Sequence, residues 1–119
     1  MHQTSILLVE DEAIIRMMLV EMLEELGHRV IAEAGNVQDG RSLAEMEDFD
    51  LAILDINLDG QNVQPVAEAV AARGLPFLFV SGYGPTGVPE PFRGNQVLAK
   101  PYELTQLRNA IALTLSQKH

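Results

Sequence analysis

A short apolar run followed by a longer amphipathic segment recurs along this 119-residue chain. Residues 6–9 are apolar without polar alternation, which is typical of a parallel strand covered on both faces. Residues 11–26 then place apolar side chains at helical spacing, from Asp11 as a possible N-cap to Gly27 as a C-cap glycine. Further strands are predicted at residues 29–34, 50–54, 77–80 and 96–99. This alternation predicts a doubly wound α/β fold, a parallel sheet with helices on both faces.

Capping residues mark two further helices. Asn36 can cap a second helix, in which Gly40 costs about 1 kcal/mol relative to Ala. A turn at Asp59 and Gly60 is expected after the third strand. Asn62 can cap a third helix that precedes the fourth strand.

Residues 83–94 interrupt the alternation. Six residues that disfavour a helix lie here: Gly84, Pro85, Gly87, Pro89, Pro91 and Gly94. Proline removes a backbone donor and biases the residue before it away from the helical conformation. We therefore expect at most one or two helical turns in place of a fourth helix, and the highest mobility in the domain. A last helix is expected at residues 103–116.

Composition excludes several classes of function. Eight basic and 17 acidic residues give a formal charge of −9, which argues against nucleic acid or an anionic membrane as a partner. The absence of Cys excludes disulfides, thiolate catalysis and zinc–cysteine sites. The first residues lack a basic region and the apolar run after them is short, so no signal peptide is expected, and no run approaches the ~18 apolar residues of a membrane span. The sequence predicts a single cytoplasmic domain over residues 1–119.

Polar residues follow the predicted strands at their carboxyl ends: Glu10, Asp11, Asp55, Ser81 and Lys100. Each alone could be a helix cap, a turn residue or a surface residue. Chemistry in open parallel sheets lies beyond these ends, so the side chains should converge. Two carboxylates about 4 Å apart repel by roughly 4 kcal/mol at an effective dielectric near 20. A divalent cation relieves that repulsion, and a carboxylate can accept a phosphoryl group.

Two other motif matches are expected to carry no function. Residues 55–60 match half of a calcium-binding EF-hand loop, but Val66 stands where its last acidic ligand belongs. Residues 82–87 match a dinucleotide-binding glycine pattern, but no helix follows them. The methionines of the first helix are expected to fill the core and its grooves, with exposure as the alternative for the first of them: Met17, Met18 and Met22. The histidines lack metal-ligand spacing and are expected to be exposed: His2, His28 and His119.

Four motifs together resemble the receiver domain of two-component response regulators, over the whole chain. They are residues 8–12, 54–58, 81–82 and 100–101. The resemblance implies a flavodoxin-like five-stranded sheet with strand order 2-1-3-4-5. Residues 76–83 also resemble a Pro-Phe-x-Phe-Ala-Thr-Gly-Tyr stretch found in one subgroup of receivers.

The resemblance assigns a phosphoacceptor and a metal site. Asp55 matches the aspartate that accepts the phosphoryl group. Glu10 and Asp11 match the acidic pair that holds Mg²⁺ together with Asp55, although the first member is more often an aspartate. Asn57 matches the residue whose backbone carbonyl also binds the metal.

It assigns the remaining site residues in the same way. Ser81 matches the hydroxyl that contacts the phosphoryl oxygen, Lys100 matches the cation that pairs with the phosphoryl group, and a cis bond is implied before Pro101. Val97 stands where the family has an aromatic switch residue, so a ring flip is not expected. We expect phosphorylation to shift the loop at residues 83–94 instead.

The resemblance implies a single-domain response regulator and not an enzyme. A sensor histidine kinase or histidine phosphotransfer protein would donate the phosphoryl group. The receiver would then act on a downstream protein target or serve as a phosphate sink. Two alternatives are a small phosphatase of the haloacid-dehalogenase type and an interaction module with a vestigial site.

Overall fold

The computed structural model describes residues 3–82 and 87–116. In chain order the elements are β1 (Ser5–Val9), α1 (Ala13–Glu25), β2 (Arg29–Ala34), α2 (Val37–Met46), β3 (Leu51–Asp55), β4 (Asn57–Leu58), β5 (Gln61–Asn62), α3 (Gln64–Ala72), β6 (Phe77–Ser81), β7 (Val97–Ala99) and α4 (Leu104–Ser116). Five strands form one parallel sheet in the order β2-β1-β3-β6-β7, and β4 and β5 form a separate antiparallel hairpin. Since β6 and β7 are the fourth and fifth strands of the parallel sheet, its order confirms the prediction of 2-1-3-4-5. Within the described residues, no helix has the length and apolar content needed to cross a membrane.

The sheet divides the core into two layers, as side-chain alternation along β1 illustrates. Leu7 and Val9 pack in the layer under α2 and α3. Ile6 and Leu8 pack in the layer under α1 and α4. Because both faces of the central strands are buried, these strands are apolar except for one polar residue at an end of each, which is the pattern of a parallel sheet.

The helix starts agree only in part with the predicted caps. Asn36 caps α2, since its Oδ1 accepts a hydrogen bond from the Asp39 N–H at 2.8 Å. The Oδ1 of Asn62 accepts from the Gln64 N–H at 2.9 Å, at the first residue of α3. The predicted cap at Asp11 is wrong, because α1 begins at Ala13 and has no side-chain cap. Gly27 follows α1 with φ of +90°, as a C-cap glycine should.

The connection between β6 and β7 contains no α-helix within residues 87–96, which agrees with the expectation of at most one or two helical turns there. A single 3₁₀ turn, Glu90–Phe92, is present. The Phe92 ring contacts the rings of Phe77 and Phe79, with centroids 5.2 and 6.4 Å away. Residues 83–86, where part of the predicted mobility falls, lie outside the described residues, and that mobility stays a prediction.

Side-chain exposure tests two further expectations. Met17 and Met18 are 56% and 51% exposed, so neither fills the core: Met17 takes the exposed alternative, whereas Met18 lines an apolar groove with Met22 and Tyr102, as a groove residue should. Met22 is partly buried and packs against the core. His28 is half-buried, so its expected exposure is wrong. His2 and His119 lie outside the described residues.

Candidate functional site

Parallel strand pairing brings the predicted site residues together at the carboxyl edge of the sheet. Glu10 directly follows β1, Asp55 ends β3, and Ser81 ends β6. Asp55 is paired with Val80, the neighbour of Ser81. The Lys100 N–H donates to the Ser81 carbonyl at 2.8 Å, which places Lys100 at the same edge. Convergence of these residues was predicted from the sequence, and the strand order explains it.

Three carboxylates form a cluster at this edge. Oxygens of Glu10, Asp11 and Asp55 lie within 4.8 Å of one another. The Lys100 Nζ contacts two of these side chains, at 3.1 Å from Glu10 Oε1 and 3.3 Å from Asp55 Oδ2. The peptide bond after Lys100 is cis, as the sequence predicted. One ammonium therefore faces three carboxylates, and the cluster keeps an excess of negative charge.

Burial and charge displace the pKa values of the two groups in closest contact. Burial, together with the charge of Asp55, raises the pKa of the Glu10 carboxyl to about 7, although the hydrogen bond from the Glu12 N–H opposes this rise. Burial lowers the pKa of Lys100, but its hydrogen bond to Glu10 and the charge of Asp55 outweigh burial and raise it. The Lys100 ammonium is therefore charged at neutral pH, whereas Glu10 holds a proton part of the time.

The β4–β5 hairpin contacts the cluster through Asp11 and positions one more predicted site residue, Asn57. The Asp59 N–H donates to Asp11 Oδ2 at 2.8 Å, and the Gly60 N–H donates to Asn57 Oδ1 at 3.0 Å. Asp59 and Gly60 have φ values of +51° and +86°, so the predicted turn is confirmed and requires the left-handed conformation at both residues. Asn57 is exposed, beside the carboxylates.

A cavity of about 660 Å³ opens at the cluster. Its lining residues are Asp11, Glu12, Asp55, Ile56, Asn57, Gly60, Asn62, Ser81, Gly82, Gly87 and Lys100. Asp55 and Ser81 are 7% and 3% exposed, so they form the floor of the cavity. A small anionic group entering it would meet a carboxylate, a hydroxyl and an ammonium.

The donor set fits a hard divalent cation. All three clustered side chains offer carboxylate oxygens, which are the ligands that Mg²⁺ prefers, and the cavity beside them has room for the water molecules that Mg²⁺ retains. A bound cation would also offset the repulsion between the carboxylates.

Sequence reasoning missed two contacts that hold this site. The contact between Asp59 and Asp11 depends on the path of the hairpin. Arg16 donates to the Glu10 carbonyl oxygen, and the sequence contains one feature that could have indicated this contact. A basic residue near a helix N-terminus opposes the helix dipole, so such a residue is expected to have a specific partner.

The fold and the site define an α/β module with an acidic, lysine-bearing pocket at the carboxyl edge of the parallel β2-β1-β3-β6-β7 sheet. The chain belongs to the response regulator receiver domain family, whose family model matches residues 6–112. The haloacid-dehalogenase alternative is therefore wrong.

Relatives of this family cover nearly the whole chain. The transcriptional regulatory protein PdtaR of Mycobacterium tuberculosis is 33% identical over 94% of this chain, which spans only 57% of that relative's length. The solution structure of SdrG from Sphingomonas melonis Fr1 is 40% identical, with a TM-score of 0.84 and coverage of 95% of this chain and 97% of that one. The receiver domain of PhyR from Erythrobacter litoralis is 27% identical, with a TM-score of 0.81 and coverage of 98% and 93%.

Proposed function

We propose that this receiver accepts a phosphoryl group on Asp55, with Mg²⁺ bound by Glu10, Asp11, Asp55 and the backbone carbonyl of Asn57. The observation that carries the proposal is the position of the Asp55 carboxylate. It lies on the floor of an open cavity, in contact with Lys100 and within reach of the other two acids. A buried carboxylate so placed is accessible to a small tetrahedral group and lies among the charges that such a group requires.

The transfer that we propose starts from a phosphohistidine on a histidine kinase or a histidine phosphotransfer protein. A carboxylate oxygen of Asp55 forms a bond to phosphorus while the phosphorus–nitrogen bond breaks, and the bonding electron pair remains on the imidazole nitrogen. The Lys100 ammonium pairs with a phosphoryl oxygen, and the Ser81 hydroxyl donates a hydrogen bond to another. Bound Mg²⁺ would supply positive charge opposite the developing oxyanions.

The output that we propose is contact with another protein, or transfer of the phosphoryl group away as a phosphate sink. The similarity to SdrG and to the PhyR receiver supports a role in signalling. An acidic molecule with a formal charge of −9 favours partners that present a basic surface.

The proposal is tested by intact mass spectrometry after incubation with acetyl phosphate and Mg²⁺. The unmodified chain should gain the mass of one phosphoryl group, and chelation of Mg²⁺ should prevent this. Asp55→Asn should gain none, because an amide oxygen is a poor nucleophile. Asp59→Asn is the matched control, since this neighbouring acid offers its backbone N–H and not its carboxylate to the cluster; it should be labelled normally. Equal labelling of Asp55→Asn would contradict the assignment, and an unlabelled native chain would favour a vestigial site.

A further inference from the structure

Arg16 links α1 to the backbone beneath the acidic cluster. Its guanidinium donates from Nη1 to the carbonyl oxygen of Glu10, and its Nε lies 3.3 Å from Glu33 Oε1. The Arg16 side chain is 24% exposed, so most of it is covered. Both contacts lead to the sheet, and the guanidinium therefore bridges β1 and β2 at their carboxyl ends.

The Glu10 carbonyl requires such a donor because the strand ladder ends there. The Glu10 N–H is the last to pair across to β2, donating to the Ala34 carbonyl at 3.0 Å. The chain then turns through Gly35 toward α2, so no backbone N–H beyond Ala34 continues the pairing between β1 and β2. A buried carbonyl without a partner costs about 1–3 kcal/mol, and the Arg16 guanidinium meets this requirement.

Gly35 leaves the space that the guanidinium occupies. A Cβ at Gly35 would lie 3.0 Å from Arg16 Nη1 and 3.8 Å from the Glu10 carbonyl oxygen. The first distance is tighter than most such contacts, so a side chain here would push the end of the arginine away by a few tenths of an ångström. The glycine and the arginine are therefore parts of one arrangement around the Glu10 backbone.

We infer that Arg16 is a positioning residue for the acidic cluster. It fixes the Glu10 carbonyl, while the Glu12 N–H and Lys100 Nζ fix the Glu10 carboxylate at 3.0 and 3.1 Å. Glu10 and its neighbour Asp11 are thereby held in one orientation toward Asp55. The inference rests on the proposed function, because its consequence is the affinity for Mg²⁺. Loss of residues that orient metal ligands typically weakens metal binding by about 10–100-fold.

The test measures the Mg²⁺ dissociation constant by calorimetry, together with urea unfolding in the absence of Mg²⁺. Arg16→Gln should weaken Mg²⁺ binding by about tenfold. Arg41→Gln is the matched control, because Arg41 is an exposed arginine that pairs with Glu45 along α2; its affinity should equal that of the unmodified chain. Arg16→Lys should recover part of the affinity, since an ammonium can still donate to the Glu10 carbonyl.

Gly35→Ala provides a second test that keeps the arginine. The added methyl group should shift the guanidinium and weaken Mg²⁺ binding several-fold. This variant keeps the inference testable if Arg16→Gln fails to fold. If Arg16→Gln and Gly35→Ala lost stability but bound Mg²⁺ as tightly as the unmodified chain, the positioning role would be overturned. The proposed function would not be affected by that result. If the unmodified chain bound no Mg²⁺, the proposed metal site and the inference would both fail.

Discussion

Glu10 is the residue at which protons would compete with the proposed cation. Its carboxylate is 1% exposed, and burial with the Asp55 charge raises its pKa from 4.5 to about 7. Because the folded pKa lies above the unfolded one, Glu10 contributes stability below about pH 4.5, and this contribution is lost as the pH rises to about 7. The shift corresponds to a cost on the order of 3 kcal/mol for the ionised group without a metal.

Glu10→Gln should remove this pH dependence, because an amide cannot ionise. Without Mg²⁺, the unfolding free energy of the variant should be close to that of the native chain at about pH 5. At about pH 8 the variant should be more stable by roughly 1–3 kcal/mol. Urea unfolding at both pH values measures the difference. Glu24→Gln, an exposed position on α1, is the control and should follow the native chain. A native chain that gains stability over this range relative to Glu10→Gln would contradict the raised pKa.

Among the elements, the β4–β5 hairpin connects the acidic cluster to the β6–β7 connection. On one side its turn donates from the Asp59 N–H to Asp11. On the other side Asn62 Nδ2 donates to the Gly87 carbonyl at 2.9 Å. Gly87 has φ of +91°, a conformation that favours glycine. These two hydrogen bonds offer a route by which a change at Asp11 could reach the connection without an aromatic residue at position 97.

Asn62→Asp should release the connection selectively. Aspartate keeps the acceptor for the Gln64 N–H but loses the donor to Gly87. Amide hydrogen exchange in residues 87–95 should become several-fold faster, while exchange in α3 stays unchanged. Gln61→Glu adds the same charge to an exposed position of the same hairpin, and exchange in residues 87–95 should remain native in this control. Equal exchange in Asn62→Asp and the native chain would show that this hydrogen bond does not hold the connection.

The elements also show where local sequence signals stop. The turn at Asp59 and Gly60 could be predicted, because both residues tolerate positive φ, but two-residue strands carry no periodicity. Asp11 resembles a helix cap in sequence, yet its carboxylate is used by the hairpin. Gly40 reads as a weak point of α2, whereas a Cβ there would lie 3.2 Å from side chains of Val9 and Val66. Such close approach between layers depends on tertiary packing, which local propensity does not encode.

At the scale of the whole molecule, the site depends on the sheet. Glu10 and Lys100 are 90 positions apart in the chain and form one hydrogen bond. Which residues converge could be predicted, because parallel strands align their carboxyl ends. How they contact one another could not, since the pairing of Lys100 with two carboxylates and the link from Arg16 depend on side-chain packing.

Because the clustered acids follow or end the central strands β1 and β3, cation binding should stabilise the entire fold. Mg²⁺ at a hundredfold excess over its dissociation constant should raise the unfolding free energy by about 2.7 kcal/mol. Asp11→Asn should lose most of this gain, because it removes a charged ligand while its amide oxygen can still accept from the Asp59 N–H. Glu21→Gln removes the same charge from an exposed position on α1 and should keep the full gain, which separates ligand loss from a change in net charge. Urea unfolding with and without Mg²⁺ measures the effect. If Mg²⁺ left the unfolding free energy of the native chain unchanged, the link between the cluster and the stability of the fold would be contradicted.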